Sequence, residues 1–165
     1  MPNKNNEIKI GILSDTHGNH DAIKLAMSRL RQMDHFIHLG DYCRDAEYMK
    51  KLTRKPVDSV RGNCDYNSET TDEKMLEIGG LKILLTHGHK YKVKYDNTLL
   101  SYRAEETIAD VVLFGHTHIP ETFCEGRRVF FNPGSLAEPR YGMKPTYGIL
   151  YIREDQAVPM TYTLD

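Results

Sequence analysis

Five short apolar runs in this chain each end in a polar cluster of aspartate, asparagine, histidine and glycine. Short apolar runs that stop at such residues are typical of buried strands. Open α/β sheets bind ligands beyond the carboxyl ends of their strands, so the clusters are expected to share one cleft. The five clusters occupy residues 15–19, 40–41, 62–65, 86–89 and 115–118.

The apolar spacing alternates strands with helices in the first half and predicts an α/β fold. Strands are predicted at residues 8–13, 35–39, 56–60, 74–78, 81–85, 111–114, 129–131, 146–152 and 158–164, with helices from Asn19 to Leu30 and at 45–52 and 95–109. Gly79-Gly80 predicts a hairpin turn between two of these strands. The third helix is expected to point four residues inward, namely Leu99, Leu100, Ala104 and Ile108.

We expect a single domain over residues 1–165, with residues 1–7 as a flexible lead-in. The second half should be largely antiparallel, and the whole should form two sheets packed face to face with helices outside. No linker, repeat or low-complexity segment divides the chain.

Charge and composition argue against nucleic acid and membrane as partners. The formal charge is −1 with a pI of about 6.7, there is no tryptophan, and no apolar run approaches the roughly 20 residues that span a bilayer. Cys43, Cys64 and Cys124 are an odd number without close pairing, so a disulfide framework is not expected. The polar first residues lack a signal peptide, and the expectation is a reduced cytoplasmic protein.

The polar clusters include two aspartates (Asp15 and Asp41), one asparagine (Asn63) and at least four histidines as candidate ligands. Imidazole with carboxylate suits Mn, Fe, Zn, Ni or Co better than Mg or Ca. Asp15 and His17 are two residues apart, as are His116 and His118, so in extended backbone each pair would point to one side. Glycines beside nearly every candidate ligand would let the backbone approach a metal ion closely.

The ordered motifs D-x-H, GD, GN, HGH and GHTH, followed by residues 132–135 (NPGS), resemble the calcineurin-like metallophosphoesterase superfamily. The small prokaryotic YfcE-like phosphodiesterases are the most similar branch. Each motif alone is weak, but five in this order are specific. The resemblance runs from Ile8 to about Ile152 and implies that superfamily's two-sheet sandwich flanked by helices.

The resemblance also implies two divalent metal ions, with Mn expected first and Ni, Fe, Zn or Co as alternatives. The implied ligands are Asp15, His17 and His118 for the first ion, Asn63, His87 and His116 for the second, and Asp41 bridging both. Bound cations would attract a phosphate to an otherwise nearly neutral protein. The implied reaction is hydrolysis of phosphate esters, diesters above all, with a metal-bridging hydroxide as the nucleophile.

Cys64 stands where many members of the superfamily carry a histidine that stabilises or protonates the leaving group. The YfcE-like branch shares this cysteine. A thiol is a poor proton donor to an alkoxide and carries no positive charge. We therefore expect weaker activity on substrates with poor leaving groups, and we favour Asn63 over Cys64 as a metal ligand.

The histidines outside the implied ligand set have other expected roles. His20 and His35 are expected on the surface, and His38 in the core or behind the ligands. His89 either contacts substrate or is structural.

Arg61 and Arg140 either clamp phosphate or form ion pairs. Residues 132–135 are expected to form a turn that supports the His116 loop, with a role for Ser135 in the site less favoured.

Two other functions stay open on sequence alone. A non-catalytic scaffold has a precedent, because a retromer subunit uses this fold for protein contacts. A nuclease is the second rival, although a basic-aromatic track is missing. The expected partner is a small phosphate ester, and the oligomeric state, including a homo-oligomer, is open.

Overall fold

The computed structural model describes residues 6–165, so the predicted lead-in falls mostly outside the described residues. Ten strands are described: β1 (Ile8–Leu13), β2 (His35–His38), β3 (Val57–Ser59), β4 (Glu73–Ile78), β5 (Leu81–Thr86), β6 (Val111–Leu113), β7 (Pro120–Glu125), β8 (Arg128–Pro133), β9 (Thr146–Arg153) and β10 (Gln156–Thr163). The helices are α1 (His20–Arg29), α2 (Asp45–Leu52), α3 (Thr98–Glu106) and a 3₁₀ turn at His89–Tyr91. None of the helices within residues 6–165 is long and apolar enough to span a membrane.

The strands form two mixed sheets of five, in the orders β10-β9-β1-β2-β3 and β4-β5-β6-β8-β7. This confirms the predicted two-sheet α/β fold. The second half is largely antiparallel, as expected, in the pairs β4–β5, β7–β8 and β9–β10, while β5, β6 and β8 run parallel at the centre of the second sheet. The crossover through α3 returns the chain in the same direction, so β5 and β6 are parallel, and in this sheet the edge strands β4 and β7 run antiparallel to their neighbours.

Strand alternation divides the core into layers. In β5, Ile83 and Leu85 pack between the two sheets, whereas Leu84 faces α3. In β1, Ile12 lies between the sheets and Leu13 packs beneath α1 and α2. Successive strand residues point to opposite faces, so each central strand contributes to two apolar layers. The polar clusters are therefore left at the strand ends, outside these layers.

Helix α3 is shorter than predicted and buries only part of the expected face. Leu100 and Ala104, four residues apart on one face, are fully buried. The inward placement of Leu99 and Ile108 is wrong, since these side chains are 44% and 67% exposed. Leu99 lies on a neighbouring face, and Ile108 lies beyond the helix in left-handed backbone with φ 53°.

Candidate metal centre

The predicted ligands all lie at one end of the two sheets. They follow β1 (Asp15, His17), β2 (Asp41), β3 (Asn63), β5 (His87) and β6 (His116, His118). Strands β1, β2 and β3 are parallel, as are β5 and β6, so their carboxyl ends meet at one edge of each sheet. The sandwich brings these two edges together.

Four of these residues form a compact group of ligand atoms. The donor atoms of Asp15, His17, Asp41 and His118 all lie within 4.8 Å of one another. Asp15 Oδ1 and His17 Nε2 are buried and have no hydrogen-bond partner. Buried polar atoms without partners are rare in proteins, and a cation between these donors would satisfy both. The residues therefore fit a metal ion.

A second group lies on the other side of Asp41. His87 Nε2 is 3.1 Å from Asn63 Oδ1 and 3.4 Å from Asp41 Oδ1. The His116 ring lies beside it, with its centroid 5.0 Å from that of His87. Asp41 Oδ2 points the other way, 3.8 Å from His17 Nε2. All seven predicted ligands are thus brought together, with Asp41 between two groups.

Backbone contacts leave the correct atoms free for coordination. His87 Nδ1 donates to the Leu39 carbonyl and His118 Nδ1 to the Glu138 carbonyl, each at 2.7 Å. Because a carbonyl only accepts, each Nε2 carries the lone pair when the ring is neutral. Asp15 is held similarly, since its Oδ2 accepts from the Ser14 hydroxyl at 2.6 Å, while Oδ1 faces His118 Nε2 at 3.0 Å.

The expectation that the ligand pairs lie in extended backbone is wrong. Five of the seven predicted ligands have left-handed backbone, namely Asp15 (φ 52°), His17 (φ 44°), Asp41 (φ 54°), His116 (φ 71°) and His118 (φ 61°). Aspartate and histidine tolerate this region better than most residues. Positive φ turns the chain back sharply after each strand, and such strained backbone concentrates at functional sites.

At Gly62 and Gly115 the backbone passes very close to candidate ligands, as the sequence predicted. A Cβ at Gly62 would lie 2.2 Å from Asp41 Oδ1. One at Gly115 would lie 2.2 Å from Ser14 Oγ and 2.8 Å from Asp15 Oδ2. Real Cβ atoms do not approach so closely, so any side chain at either position would displace a candidate ligand.

The carboxylates and imidazoles shift each other's pKa values. Burial opposes ionisation of Asp15 and Asp41, yet contacts with His118 and His87 hold the pKa of both carboxyls below the usual range. Burial likewise opposes protonation of these two histidines, but Asp15 and Asp41 raise their pKa. Burial, with the nearby charge of His87, lowers the pKa of His116 to about 4. A metal ion would displace protons from His87 and His118, whereas His116 is already neutral.

Thr16, His38 and Asp45 hold the two aspartate loops from behind. His38 Nε2 is 2.7 Å from Thr16 Oγ1, and Thr16 donates to Asp45 Oδ2 at 2.6 Å. His38 Nδ1 accepts from the Gly40 amide at 3.2 Å. Burial lowers the pKa of His38, so the ring is neutral and supports both loops. Sequence reasoning missed Thr16 and Asp45, although Thr16 lies between two predicted ligands.

The segment after β8 supports the opposite side. Asn132 Nδ2 donates to the Gly115 carbonyl and to Thr117 Oγ1, each at 3.0 Å, which fits the predicted role of this turn. Ser135 Oγ donates to the Asp15 carbonyl at 2.8 Å. Ser135 therefore contacts the site through backbone alone.

The other histidines have separate surroundings. His20 is exposed, as expected. The surface placement of His35 needs correction, because it is partly buried and its Nε2 lies 2.7 Å from Asp58 Oδ2. His89 is partly buried with no partner for Nδ1, and its ring centroid is 5.4 Å from that of His87.

The two arginines also differ. Arg61 binds Asp72 through Nη2 at 2.7 Å and Nε at 2.9 Å, which favours the ion-pair reading. Arg140 is exposed, and its charge acts to lower the pKa of His118, although Asp15 outweighs it.

Cys64 lies directly beside Asp41. Its amide donates to Asp41 Oδ1 at 2.9 Å, and its Sγ lies 3.6 Å from Asn63 Nδ2. Burial, together with the negative charge of Asp41, raises the pKa of the Cys64 thiol to about 11. The thiol is therefore protonated at neutral pH and carries no charge.

Comparison with known proteins gives one consistent family. A family model described as the calcineurin-like phosphoesterase superfamily domain matches residues 8–155. The probable metallophosphoesterase YsnB of Bacillus subtilis (strain 168) is 36% identical over 152 residues, covering 92% of this chain and 88% of that protein. A predicted phosphoesterase from Streptococcus pneumoniae TIGR4 superposes with a TM-score of 0.82 at 28% identity, covering 96% of this chain and 91% of its own. A structure described as a novel archaeal phosphodiesterase superposes with a TM-score of 0.76 at 26% identity, covering 94% of this chain and 100% of its own.

Proposed function

The chain belongs to the calcineurin-like phosphoesterase superfamily, and we propose that it hydrolyses phosphate diesters with two divalent metal ions, Mn²⁺ first among them. One observation carries the proposal: two groups of metal-ligating side chains meet at the shared carboxylate of Asp41. A single ion would not need both groups. Imidazole and carboxylate donors in this number favour Mn, Fe, Zn, Ni or Co.

In this proposal, Asp15, His17 and His118 would hold the first ion and Asn63, His87 and His116 the second, with Asp41 available to both. Bound ions would lower the pKa of a water molecule toward neutrality and neutralise charge on the phosphoryl oxygens. No side-chain nucleophile is required.

The chain's own residues then orient and limit the reaction. Cys64 lies beside Asp41, and its neutral thiol would offer no charge to a departing alkoxide. Among residues 6–165, His89 is the further imidazole beside the ligands whose Nδ1 is buried and has no hydrogen-bond partner. We propose that His89 contacts the phosphate or a water molecule near it.

The rival functions receive less support. A scaffold would gain nothing from burying an unpartnered polar atom such as His17 Nε2, which costs free energy unless a cation binds it. A nuclease would require a cationic track, and the formal charge of the whole chain is −1.

The test is hydrolysis of bis(p-nitrophenyl) phosphate by metal-free protein reloaded with Mn²⁺, Ni²⁺, Zn²⁺ or Mg²⁺, alongside metal analysis. We expect activity to return with transition metals at two ions per chain. His118→Gln should lose activity and His35→Gln should keep it, because His35 begins β2, at the opposite end of that strand from Asp41. Two bound ions with no turnover of any diester would favour the scaffold, and full activity at one ion per chain would exclude the dinuclear centre.

A further inference from the structure

A cleft of about 620 Å³ lies against His17 and Cys64, at the edge of the candidate metal centre. Its walls are the loops 42–44 and 64–68, which follow β2 and β3, together with His17. The wall includes His17, a candidate ligand, and Cys64, whose amide donates to Asp41, so the cleft adjoins the two ligand groups. A group attached to a phosphate at the metal centre can enter this cleft.

Tyr42 is the unusual residue of the cleft. Its φ is 66°, a backbone conformation that costs a bulky aromatic residue free energy. The ring packs against His17 with centroids 5.4 Å apart, and a Cβ added at Gly18 would lie 3.4 Å from it. The strained backbone thus holds an aromatic ring beside a candidate metal ligand.

Arg44 and Tyr66 extend this surface. The Arg44 guanidinium carbon lies 5.6 Å from the centre of the Tyr42 ring, within the range of a cation–π contact. Tyr66 is 85% exposed, and Asn67 and Ser68 add hydrogen-bonding groups to the same wall. Planar aromatic and guanidinium groups with polar neighbours are the combination that binds nucleobases.

The carboxylate in the wall does not oppose such a ligand. Asp65 Oδ1 accepts from the Cys43 amide and Oδ2 from the Gly62 amide, each at 2.8 Å. Both oxygens are therefore used within the loops. Arg44 is left as the exposed cation of the cleft.

We propose that this cleft binds the leaving group of the substrate and that this group is a nucleoside, whose base stacks on Tyr42 and Arg44. The inference rests on the proposed phosphodiesterase function and deepens it by naming the substrate class, a small nucleoside phosphate ester.

The test compares adenosine 5′-monophosphate with ribose 5-phosphate by isothermal titration calorimetry on metal-loaded and metal-free protein. Both probes carry a phosphate, but only the first carries a base. One stacked base strengthens binding about 5- to 150-fold. The affinity ratio of the two probes therefore measures how much the contact between the base and the cleft contributes to binding. We expect the ratio to fall toward one in Tyr42→Leu and to persist in Tyr42→Phe.

Tyr102→Leu is the matched control, since Tyr102 is 63% exposed on α3 and the same substitution there should leave the ratio unchanged. If Tyr42→Leu does not fold, Tyr66→Leu and Arg44→Gln replace it, because both side chains are exposed. Equal binding of the two probes by the wild-type protein, or a ratio that survives all three cleft substitutions, would overturn the proposal. Failure to hydrolyse bis(p-nitrophenyl) phosphate would instead count against the phosphodiesterase function, whatever the ratio.

Discussion

Gly62→Ala should weaken metal binding selectively, because the new side chain displaces Asp41 while most of the fold is left unchanged. The new Cβ would lie 2.2 Å from Asp41 Oδ1 and 2.4 Å from the Asp41 amide nitrogen. Contacts this short must open by roughly 1 Å, and such overpacking typically costs about 1–3 kcal/mol of unfolding free energy. Because the displaced group is the proposed shared ligand, we expect metal affinity to fall about 10- to 100-fold.

The effect can be measured as metal-dependent thermal stability. At a Mn²⁺ concentration of about 100 times the wild-type Kd, binding adds roughly 2.7 kcal/mol of stability. In a chain of this size, that raises Tm by about 5–10 °C. With the weakened affinity, the same Mn²⁺ concentration adds only about 0.4–1.4 kcal/mol to Gly62→Ala.

Gly11→Ala is the matched control for this experiment. Its Cβ would lie 2.9 Å from Phe36 Cδ1, a contact in the apolar core beneath α1. It should lower Tm of the metal-free protein while keeping the full metal-dependent increase. An undiminished increase in Gly62→Ala would refute the reasoning that Gly62 is required for the position of Asp41.

Three further changes test separate parts of the structure. Asp41→Ala should remove both ions, whereas His118→Ala should weaken mainly the first; two full-occupancy ions in the Asp41 variant, by metal analysis, would contradict the bridging assignment. Cys64→His should raise kcat/KM by up to about 10²-fold on alkyl esters and less on nitrophenyl esters, because a positioned acid helps basic leaving groups most. If the dependence of kcat/KM on leaving-group pKa is unchanged while the metal content stays intact, Cys64 does not lie beside the leaving group. Burial opposes ionisation of Glu73, but Arg103 outweighs it and holds the pKa of Glu73 below the usual range. The Glu73 contact therefore stabilises the fold above the ordinary carboxyl pKa and is lost as pH falls through the lowered value. Glu73→Gln should cost about 1 kcal/mol at pH 7, a modest figure because both partners are partly exposed, and less at pH 3, below the ordinary carboxyl pKa. Urea unfolding that shows an equal loss at both pH values would reject this contact.

Local signals were sufficient to predict much of the first half. Helix α2 has the predicted bounds, Asp45–Leu52. The predicted start of α1 at Asn19 is its N-cap, whose side chain accepts from the Ala22 amide at 3.0 Å. Both features depend on residues close together in the chain, so spacing alone predicted them.

Features that depend on distant residues were missed. Strand β7 has little alternation to predict it, since it begins at Pro120 and lies at a sheet edge with partly exposed residues. The Thr16–Asp45 hydrogen bond joins residues 29 apart in the chain. The motif order indicated which side chains meet, but the left-handed backbone that orients them depends on both sheets being assembled.

The two sheets contribute jointly to each proposed ligand group, and this has a mechanical consequence. The first group joins Asp15 of the first sheet to His118 of the second, and the second group joins Asn63 to His87 in the same way. Detaching one sheet from the other would therefore break coordination to both ions at once. Metal binding should then couple the opening of the two halves, so amide hydrogen exchange at the centres of both sheets slows together when the ions bind. In the loaded protein, the halves of the sandwich would behave as one cooperative unit.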